Sequence, residues 1–551
     1  MIVDAERLMA LAAAPLDLVR APFTLPGSRI LVFAAGAGIS VCTAEYEKDL
    51  EACRVIDVLT VSDQSGAIAP VTVVEPHRIV FGDDVATLSF DGPDALSIGG
   101  APGAVVEWSA PDGATQRHRF GPALLLEVGS GRALTVRTHG HHAGSTEASR
   151  MLWLDWFAKC PVVRADLLAM AAFCWWVLGA NIITVPGLDG ARPVVPSKIG
   201  YVGLWQWDAY FIALGLRHGD PALAREQLDL AFRFATPDGQ LPDVVHEGGV
   251  LASSDDLVPA DRDRLRRAGS AIADPTLPIP LTKPPLSAWA LRKVLEASPR
   301  TPEFDAWARQ QFEIIRASQE WWFDRSDLDG DGMPEYGHPY SSGLDDSPIF
   351  DGPLPTTAPD LGAYLVTQDL ELARFAEEFG DVDPTPFRER AVRTRDRLLE
   401  MWMPEREMFL ARAAGTTVSS DAITGLMPLL TGTLPEEVAA ALVAAIQDPR
   451  RYASTWTLPT VALSDPDFSP TRMWRGPVWI NTNYLVAEGL ERSGYPELAR
   501  DLRERTVALV IHGGGPHEYF NPLTGEKAPA ATTSFGWSAA LFVDLAVQLS
   551  R

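Results

Sequence analysis

Two acidic residues lie in unusual local contexts. Asp345 is followed by Asp346 within the segment Ser-Ser-Gly-Leu-Asp-Asp-Ser-Pro (341–348), and Glu518 follows three glycines and lies between His517 and Tyr519. Neighbouring negative charge or burial raises the pKa of a carboxyl group, which favours a proton on Asp345 near neutral pH. Hydrolysis of a glycosidic bond needs one such carboxylic acid and one carboxylate. Both residues are also compatible with capping or surface positions.

The tryptophans are concentrated in the second part of the chain. Of the 16 Trp, only Trp108 lies in the first 150 residues. Four of the others, Trp205, Trp207, Trp474 and Trp479, flank the charged residues Asp208 and Arg475. Aromatic rings stack on the apolar faces of sugars, and charged side chains bond sugar hydroxyls. This mixture predicts a site for an uncharged carbohydrate.

The charge balance excludes some partners. The chain has 72 Asp+Glu against 47 Lys+Arg, a formal net charge of −25, which disfavours nucleic acid and anionic membrane surfaces. There is no run of about 18 apolar residues and no basic segment leading into an apolar one. We therefore expect a cytoplasmic protein that binds a small carbohydrate and no membrane; the sequence leaves its oligomeric state open.

The run Asp327-x-Asp329-x-Asp331-Gly332 has the beginning of a calcium loop, with Glu335 at the ninth position. The twelfth position is His338, where an EF-hand needs a bidentate glutamate. Calcium bound with ligands from elsewhere and a hydrogen-bonded Asx turn without metal are both compatible with this pattern. No other cofactor is expected.

The elements that position these residues change type along the chain. Seven short apolar or alternating runs, at 30–33, 55–61, 67–74, 86–90, 105–108, 123–128 and 133–138, are separated in several places by Gly, Asp and Pro pairs. This pattern predicts an antiparallel β-sandwich. We place this N-terminal domain at 1–150, a linker with the first helix at 151–200, and a helical catalytic domain at 165–551.

Twelve helical patterns follow, near 166–180, 205–217, 221–235, 285–297, 302–323, 359–379, 385–402, 421–430, 435–446, 477–492, 496–511 and 535–550. Links after the even-numbered helices are short, and links after the odd-numbered ones are long and rich in Gly, Pro, Trp and Asp. Short links form antiparallel hairpins, so six hairpins closing into a ring would place every long link at one end. The sequence thus predicts a mainly α chain with an (α/α)6 toroid, whose site is built from the long links.

Seven ordered segments resemble glycoside hydrolase family 63, which includes processing α-glucosidases and hydrolases of glucosylglycerate and mannosylglycerate. They are similar, more distantly, to the trehalases of family 37. The segments are Trp-Gln-Trp-Asp (205–208), Asp-Gly-Gln-Leu-Pro (238–242), Lys-Pro-Pro (283–285), Ser-Gly-Leu-Asp-Asp-Ser-Pro (342–348), Trp-Arg-Gly-Pro-Val-Trp-Ile-Asn-Thr-Asn-Tyr (474–484), Glu-Tyr-Phe-Asn-Pro (518–522) and Phe-Gly-Trp-Ser (535–538). Together they cover roughly residues 200 to 551.

The resemblance implies an inverting enzyme in which Asp345 is the general acid and Glu518 the general base. It implies that Asp208 and the four tryptophans line the sugar subsite, with the Gly343 backbone close to the sugar. The full set of predicted substrate-binding residues is Tyr201, Trp205, Trp207, Asp208, Gln240, Lys283, Tyr340, Gly343, Trp474, Arg475, Trp479 and Trp537.

We expect an exo-acting α-glucosidase on a small soluble α-glucoside. The alternatives are a glucosylglycerate or mannosylglycerate hydrolase, a trehalase-like enzyme, and a toroid that binds carbohydrate without hydrolysis. Relatives often carry Gln where this chain has Lys283. Its ammonium suits a carboxylate such as glycerate, and it suits equally an ion pair with a nearby Asp.

Overall fold

The structure, a computed structural model, describes residues 4–188, 190–267, 278–298 and 300–551. After helix α1 (Ala5–Ala13), the N-terminal region consists of antiparallel strands. They are β1 (Ile30–Ala35), β2 (Gly38–Thr43), β3 (Arg54–Ser62), β4 (Ile68–Ala69), β5 (Val71–Glu75), β6 (Arg78–Phe81), β7 (Ala86–Phe90), β8 (Ala95–Gly100), β9 (Val105–Ser109), β10 (Thr115–Arg119), β11 (Ala123–Val128) and β12 (Leu134–His139).

The strands form two six-stranded sheets. One has the order β1-β2-β3-β9-β10, with β4 paired to β3, and the other has the order β12-β11-β8-β7-β6-β5. Phe23, which is bridged to Val32 of the first sheet, packs against Phe90 of the second with ring centroids 5.1 Å apart. All seven predicted runs form strands. β2, β6, β8 and β10 were not predicted. The residues of β10 are polar and mostly exposed, so that strand carries no apolar signal.

Helix α2 (His142–Phe157) runs across the domain boundary proposed at residue 150. Its buried face begins with Ser145 and Ser149 and becomes apolar only at Trp153. The first two turns pack through small polar side chains, so they carry little hydrophobic periodicity.

The remaining helices carry the C-terminal region. They are α3 (Leu168–Ala180), α4 (Gln206–Leu216), α5 (Pro221–Phe232), α6 (Pro259–Arg267), α7 (Ser287–Glu296), α8 (Pro302–Arg325), α9 (Pro359–Phe379), α10 (Thr385–Leu399), α11 (Glu436–Gln447), α12 (Ile480–Arg492), α13 (Pro496–His512) and α14 (Gly536–Leu549). Ten short strands, β13 to β22, lie in the links: Leu204–Trp205, Val244–His246, Gly249–Leu251, Ser253–Ser254, Ile279–Pro280, Thr356–Thr357, Trp402–Met403, Met408–Phe409, Arg412–Ala413 and Thr416–Thr417.

One predicted α-helix differs in type. The segment predicted as an α-helix at 421–430 is a 3₁₀ helix, Ile423–Thr431, that contains Pro428. Proline has no N–H to donate, which interrupts the i to i−4 ladder of an α-helix.

Six of these elements form a closed inner ring. In order they are α4, α7, α9, the 3₁₀ helix Ile423–Thr431, α12 and α14, and α14 contacts α4 again. The helices α3, α5, α8, α10, α11 and α13 lie outside them. The predicted toroid is therefore confirmed. Each inner helix follows a long link, so all the long links meet at the N-terminal ends of the inner helices.

Among the described residues, none of the helices combines the length and apolar character needed to cross a membrane.

Candidate active site

A small cavity at the N-terminal ends of the inner helices brings together eleven of the fourteen predicted catalytic and substrate-binding residues. They are Tyr201, Trp205, Trp207, Asp208, Lys283, Gly343, Asp345, Trp474, Trp479, Glu518 and Trp537. The volume of this cavity is about 60 Å³. The residues come from several links and their adjoining helices, so ring closure is what assembles them.

Glu518 lies deep in the cavity and is held at both oxygens. Its Oε1 accepts a hydrogen bond from the Tyr201 hydroxyl at 2.8 Å, and its Oε2 accepts one from the Thr532 backbone N–H at 2.8 Å. The residue is 2% exposed. Burial raises its pKa to about 7, the Asp345 charge adds to that rise, and the two hydrogen bonds oppose it. Glu518 is thus a fixed carboxyl group that titrates near neutrality.

Asp345 faces the same cavity with fewer restraints. Its Oδ1 is buried and accepts no hydrogen bond from any residue that the structure describes. Burial raises the pKa of Asp345 to about 6; Lys283 opposes this, and Asp243 and Asp346 add to it. An unrestrained carboxyl oxygen in such surroundings is suited to exchanging a proton with a bound ligand.

The turn that carries Asp345 depends on glycine. A short 3₁₀ helix, Pro339–Ser342, ends at Gly343, whose φ is +70°. A Cβ at this position would lie 2.2 Å from the Trp207 ring. Gly343 therefore lets the chain turn against the indole, and the Ser342 hydroxyl fixes the turn by accepting from the Leu344 N–H at 2.9 Å.

Lys283 is already paired. Its Nζ lies 2.8 Å from Asp243 Oδ1 and donates to the Tyr340 carbonyl at 2.6 Å. Of the two alternatives that the sequence left open, the ion pair with an aspartate is the one observed.

A third carboxyl group, Asp208, is also buried here, and burial raises its pKa well above the usual range.

Aromatic rings form the other wall. Trp474 and Trp479 stack with centroids 3.6 Å apart, and Trp479 stacks on Tyr519 at 4.8 Å. Trp207 packs edge-on against Trp537 at 5.4 Å. The position of Trp479 is fixed by its indole N–H, which donates to the Met473 carbonyl at 2.7 Å. These four tryptophans pack tightly and line one side of the cavity.

Three predicted substrate-binding residues lie outside this cavity. Gln240 is buried and its amide donates to the carbonyls of Ala252 and Leu281, at 2.6 and 2.7 Å, so it ties together distant parts of one long link. The Arg475 guanidinium is paired with Asp351. Tyr340 is 40% exposed and lies toward the solvent. In each case the residue type is the one expected of a binding site, but in the folded protein the side chain does not line the cavity.

Two residues that line the cavity were not predicted to bind substrate, Met473 and Phe535. Met473 directly precedes Trp474, and Phe535 lies two residues before Trp537. Their apolar side chains carry no chemical signal of their own, so only their neighbours in sequence indicated them.

The acidic loop Asp327 to Asp331 makes three side-chain-to-backbone hydrogen bonds, two of which close Asx turns. Asp329 accepts from the Asp331 N–H at 3.1 Å, and Asp331 accepts from the Met333 N–H at 2.8 Å. Asp327 accepts from the Gly332 N–H at 2.9 Å. One carboxylate oxygen from each aspartate lies within 4.8 Å of the others. Among the residues that the structure describes, these three are the acidic group close enough together to hold a cation, and the same carboxylates bond the backbone of the loop.

A larger cleft, of about 860 Å³, lies along the N-terminal sheets. It is lined by charged side chains that pair with one another, including Arg29 with Glu247 and Lys48 with Glu45. It contains neither Asp345 nor Glu518. We therefore place the chemistry in the smaller, aromatic cavity.

Known proteins are similar to the part of the chain that carries this cavity. A family model described as the mannosylglycerate hydrolase MGH1-like glycoside hydrolase domain matches residues 201–538. Mannosylglycerate hydrolase of Thermus thermophilus is 30% identical over 414 residues, which are 63% of this chain and 95% of that protein. Glucosylglycerate hydrolase of Mycolicibacterium hassiacum is 24% identical over 451 residues, 65% of this chain and 95% of that protein.

A solved structure is similar over the same part of the chain. A glycoside hydrolase family 63 mannosylglycerate hydrolase from Thermus thermophilus, in complex with Tris and D-glycerate, superimposes with a TM-score of 0.57 and 27% identity. The match covers 98% of that chain and 67% of this one. About a third of this chain thus lies outside the alignment, and the family model begins only at Tyr201.

Proposed function

Since the chain belongs to the mannosylglycerate hydrolase MGH1-like glycoside hydrolase domain family, we propose that it hydrolyses the bond between a hexose and a short hydroxylated aglycone such as glycerate. The protein is a glycoside hydrolase. The curated relatives named above favour a glycosylglycerate-type substrate over the oligosaccharide α-glucoside expected from sequence. The observation that carries the proposal is a pair of carboxyl groups with raised pKa in one small aromatic cavity.

In the proposed reaction the hexose packs against the tryptophan wall. Asp345 donates its proton to the glycosidic oxygen, and the aglycone leaves. Glu518, oriented by Tyr201 and Thr532, removes a proton from the water that attacks the opposite face of the sugar. Direct attack by water inverts the configuration at the anomeric carbon.

The substrate and the stereochemistry are tested together. Purified protein is incubated with glucosylglycerate, mannosylglycerate, glucosylglycerol, maltose, kojibiose, nigerose, isomaltose and trehalose, and proton NMR records the first anomer released. We expect release from at least one of the first three compounds, with the β anomer appearing first from an α-glycoside. If the protein hydrolyses only a disaccharide, the proposed aglycone is wrong. If the α anomer appears first, the enzyme does not invert the configuration. If the protein binds these compounds without releasing sugar, it is not a hydrolase of them.

The pH profile of kcat/KM gives a sharper prediction for the two carboxyl groups. The reactive form needs Asp345 protonated and Glu518 ionised, but the pKa of Asp345 is about 6 and that of Glu518 about 7. The reactive form is therefore a minor fraction of the enzyme. This fraction is nearly constant between the two pKa values and falls at lower and at higher pH. We expect a bell-shaped profile with breaks near the two values.

Removing the Tyr201 hydroxyl tests the assignment. Tyr201→Phe deletes a bond that stabilises ionised Glu518, so the pKa of Glu518 rises by about half to one unit, the equivalent of roughly 1 kcal/mol for one hydrogen bond. The alkaline break moves to higher pH and the plateau falls, while the acidic break stays in place. Tyr495→Phe is the control, because Tyr495 precedes α13 and does not line the cavity. It is expected to leave both breaks unchanged. If Tyr201→Phe shifts the acidic break, the assignment of the two breaks is wrong.

Calcium binding by the acidic loop is a separate proposal, supported by the convergence of Asp327, Asp329 and Asp331. If the loop binds calcium, adding CaCl2 to chelator-treated protein raises the Tm, and Asp329→Asn abolishes the increase. An unchanged Tm in the unaltered protein indicates that the Asx turns alone hold the loop.

A further inference from the structure

The link between α13 and α14 folds back on itself beside Glu518. The Glu518 backbone N–H donates to the Thr532 carbonyl at 3.0 Å, and the Thr532 N–H donates to Glu518 Oε2 at 2.8 Å. Between these two residues the chain forms a hairpin in which Phe520 is bridged to Lys527. One residue, Thr532, therefore holds both the backbone and the side chain of Glu518.

Lys527 holds the turn that leads to Thr532. Its Nζ donates to the carbonyls of Ala528 at 3.0 Å, Pro529 at 3.2 Å and Ala531 at 2.7 Å. An ammonium group has three N–H donors, so each of them has a backbone acceptor here. The whole turn is thus wrapped around one positive charge.

The shortest of these three bonds ends on the peptide unit that binds Glu518. The Ala531 carbonyl and the Thr532 N–H belong to the same peptide unit. Lys527 donates to one side of this unit, and the other side donates to Glu518 Oε2. A charged donor on the carbonyl polarises the amide and strengthens the hydrogen bond that its N–H makes. The ammonium group and the carboxyl group are therefore connected by two hydrogen bonds in series.

The charges of the two residues act on each other in the same sense. Burial raises the pKa of Glu518, and the Lys527 charge opposes that rise, as do the hydrogen bonds from Thr532 and Tyr201. Burial lowers the pKa of Lys527, and the Glu518 charge opposes that fall. Each residue thus favours the charged form of the other.

Other ionisable groups near Glu518 are acidic or neutral. The Asp345 charge adds to the rise in the pKa of Glu518 that burial causes. Burial raises the pKa values of Asp208 and Tyr519, and the Glu518 charge adds to both rises. Burial lowers the pKa of His517 to about 4, so this neighbour is uncharged near pH 7. Lys527 thus supplies positive charge on the side of the base.

We infer that Lys527 is a positioning residue for the general base, and that its ammonium group acts through the peptide unit between Ala531 and Thr532 to keep Glu518 ionised and oriented. This inference rests on the proposed function and deepens it. Tyr201 holds Oε1 from the link before α4, and Lys527 acts on Oε2 from the link before α14. Two separate links therefore prepare Glu518 to accept a proton from water.

The test is the pH profile of kcat/KM for Lys527→Met, which keeps the length of the side chain and removes its charge and its donors. The substrate is glucosylglycerate or, if another of the glycosides named above is hydrolysed faster, that compound. Ionised Glu518 is less stable in the variant. We expect the alkaline break to rise by about half a pH unit and the plateau to fall about threefold, the order of effect for one charge in partly solvated surroundings. The acidic break, which belongs to Asp345, stays in place.

Two further variants separate this role from a purely structural one. Lys527→Arg keeps a positive charge with several N–H donors, so its alkaline break stays within about 0.2 pH unit of the original. Lys48→Met removes an exposed lysine that pairs with Glu45 and does not line the cavity, and it leaves both breaks unchanged. Thermal melts show whether each variant is folded. If Lys527→Met melts below the assay temperature, Lys527→Gln, which also lacks the charge, takes its place.

A role confined to holding the loop gives a different result. In that case Lys527→Met lowers kcat/KM by the same factor at every pH and both breaks stay, and the inference is wrong. It is also wrong if Lys527→Arg shifts the alkaline break as far as Lys527→Met does, because the charge then has no effect. The proposed function stands in both cases. If the unaltered protein releases sugar from none of the glycosides, the proposed function fails and the inference fails with it.

Discussion

Asp345→Asn and Glu518→Gln each lower the turnover of the substrate by roughly 10²-fold or more, because each removes one partner of a proton transfer. An amide at position 345 cannot supply a proton to the leaving oxygen, and an amide at position 518 cannot accept one from water. Both substitutions keep the size of the side chain. The measurement is initial rate of sugar release at saturating substrate.

The same variants carry an internal check on folding. Both carboxyl groups bind protons more tightly in the folded protein, since their pKa values rise from 3.8 and 4.5 to about 6 and about 7. The stability of the folded state therefore falls as the pH rises through this range, and above it each buried charge is a net cost to stability. The amide variants lack that cost, so at pH 8 each melts at a higher temperature than the unaltered protein.

Loss of activity with an equal or higher Tm at pH 8 thus separates a catalytic role from a structural one. Glu313→Gln is the control, because Glu313 is an exposed residue that pairs with Arg316 on α8, away from the cavity. It is expected to retain turnover. Full turnover in either amide variant at the site removes that residue from the mechanism.

Asp544→Ala lowers the free energy of unfolding by about 3–5 kcal/mol, the usual cost of leaving a buried charge without its partner. Asp544 is fully buried on α14 of the inner ring. It accepts hydrogen bonds from Arg217 at 2.8 Å, His218 at 2.5 Å, Tyr484 at 2.7 Å and Gln548 at 2.6 Å. Three inner-ring elements, α4, α12 and α14, thus meet at one carboxylate, and its loss leaves the Arg217 guanidinium buried and unpaired.

The effect has a defined pH dependence. Burial opposes ionisation of Asp544, but Arg217, His218 and Tyr484 overcome it and hold its pKa far below the usual 3.8. A lowered pKa contributes stability at all pH values above 3.8, and this contribution is lost as the pH falls below it. The difference between the variant and the unaltered protein in urea unfolding is therefore present at about pH 5 and shrinks as the pH falls below 3.8.

Asp381→Asn is the matched control on the surface. Asp381 pairs with Arg309, and both side chains are exposed, so water replaces the interaction and stability changes little. A loss in Asp544→Ala no larger than in this control contradicts the role assigned to the buried cluster.

Much of the helical region follows from local signals in the sequence. The helices predicted to begin at 221 and 302 begin there, as α5 and α8. Each is capped by the side chain before its first proline: Asp220 accepts from the Leu223 N–H at 3.0 Å, and Thr301 accepts from the Phe304 N–H at 3.2 Å. The alternation of short and long links determines which helices pair. It therefore also determines that the long links, with Asp345, Glu518 and the tryptophans, gather at one end of the ring.

The tertiary structure decided what the links do once they are folded. Three residues have the types expected of a binding site, but each bonds another part of the folded protein. Lys283 pairs with Asp243, and Arg475 pairs with Asp351. Gln240 donates to the carbonyls of Ala252 and Leu281. Helix α2 was not predicted, because its first turns pack through serine. The segment at 421–430 was predicted as helical, but Pro428 makes it a 3₁₀ helix and not an α-helix.

The sequence by itself determined the toroid and the residue types in its links, because helix caps, link lengths and apolar periodicity act over a few residues. Only the tertiary structure decided which side chains face the cavity and brought Tyr46 to Trp205 across more than 150 residues of chain. The physical reason is that ion pairs, ring stacking and the raised pKa values of Asp345 and Glu518 all depend on burial and on partners distant in sequence.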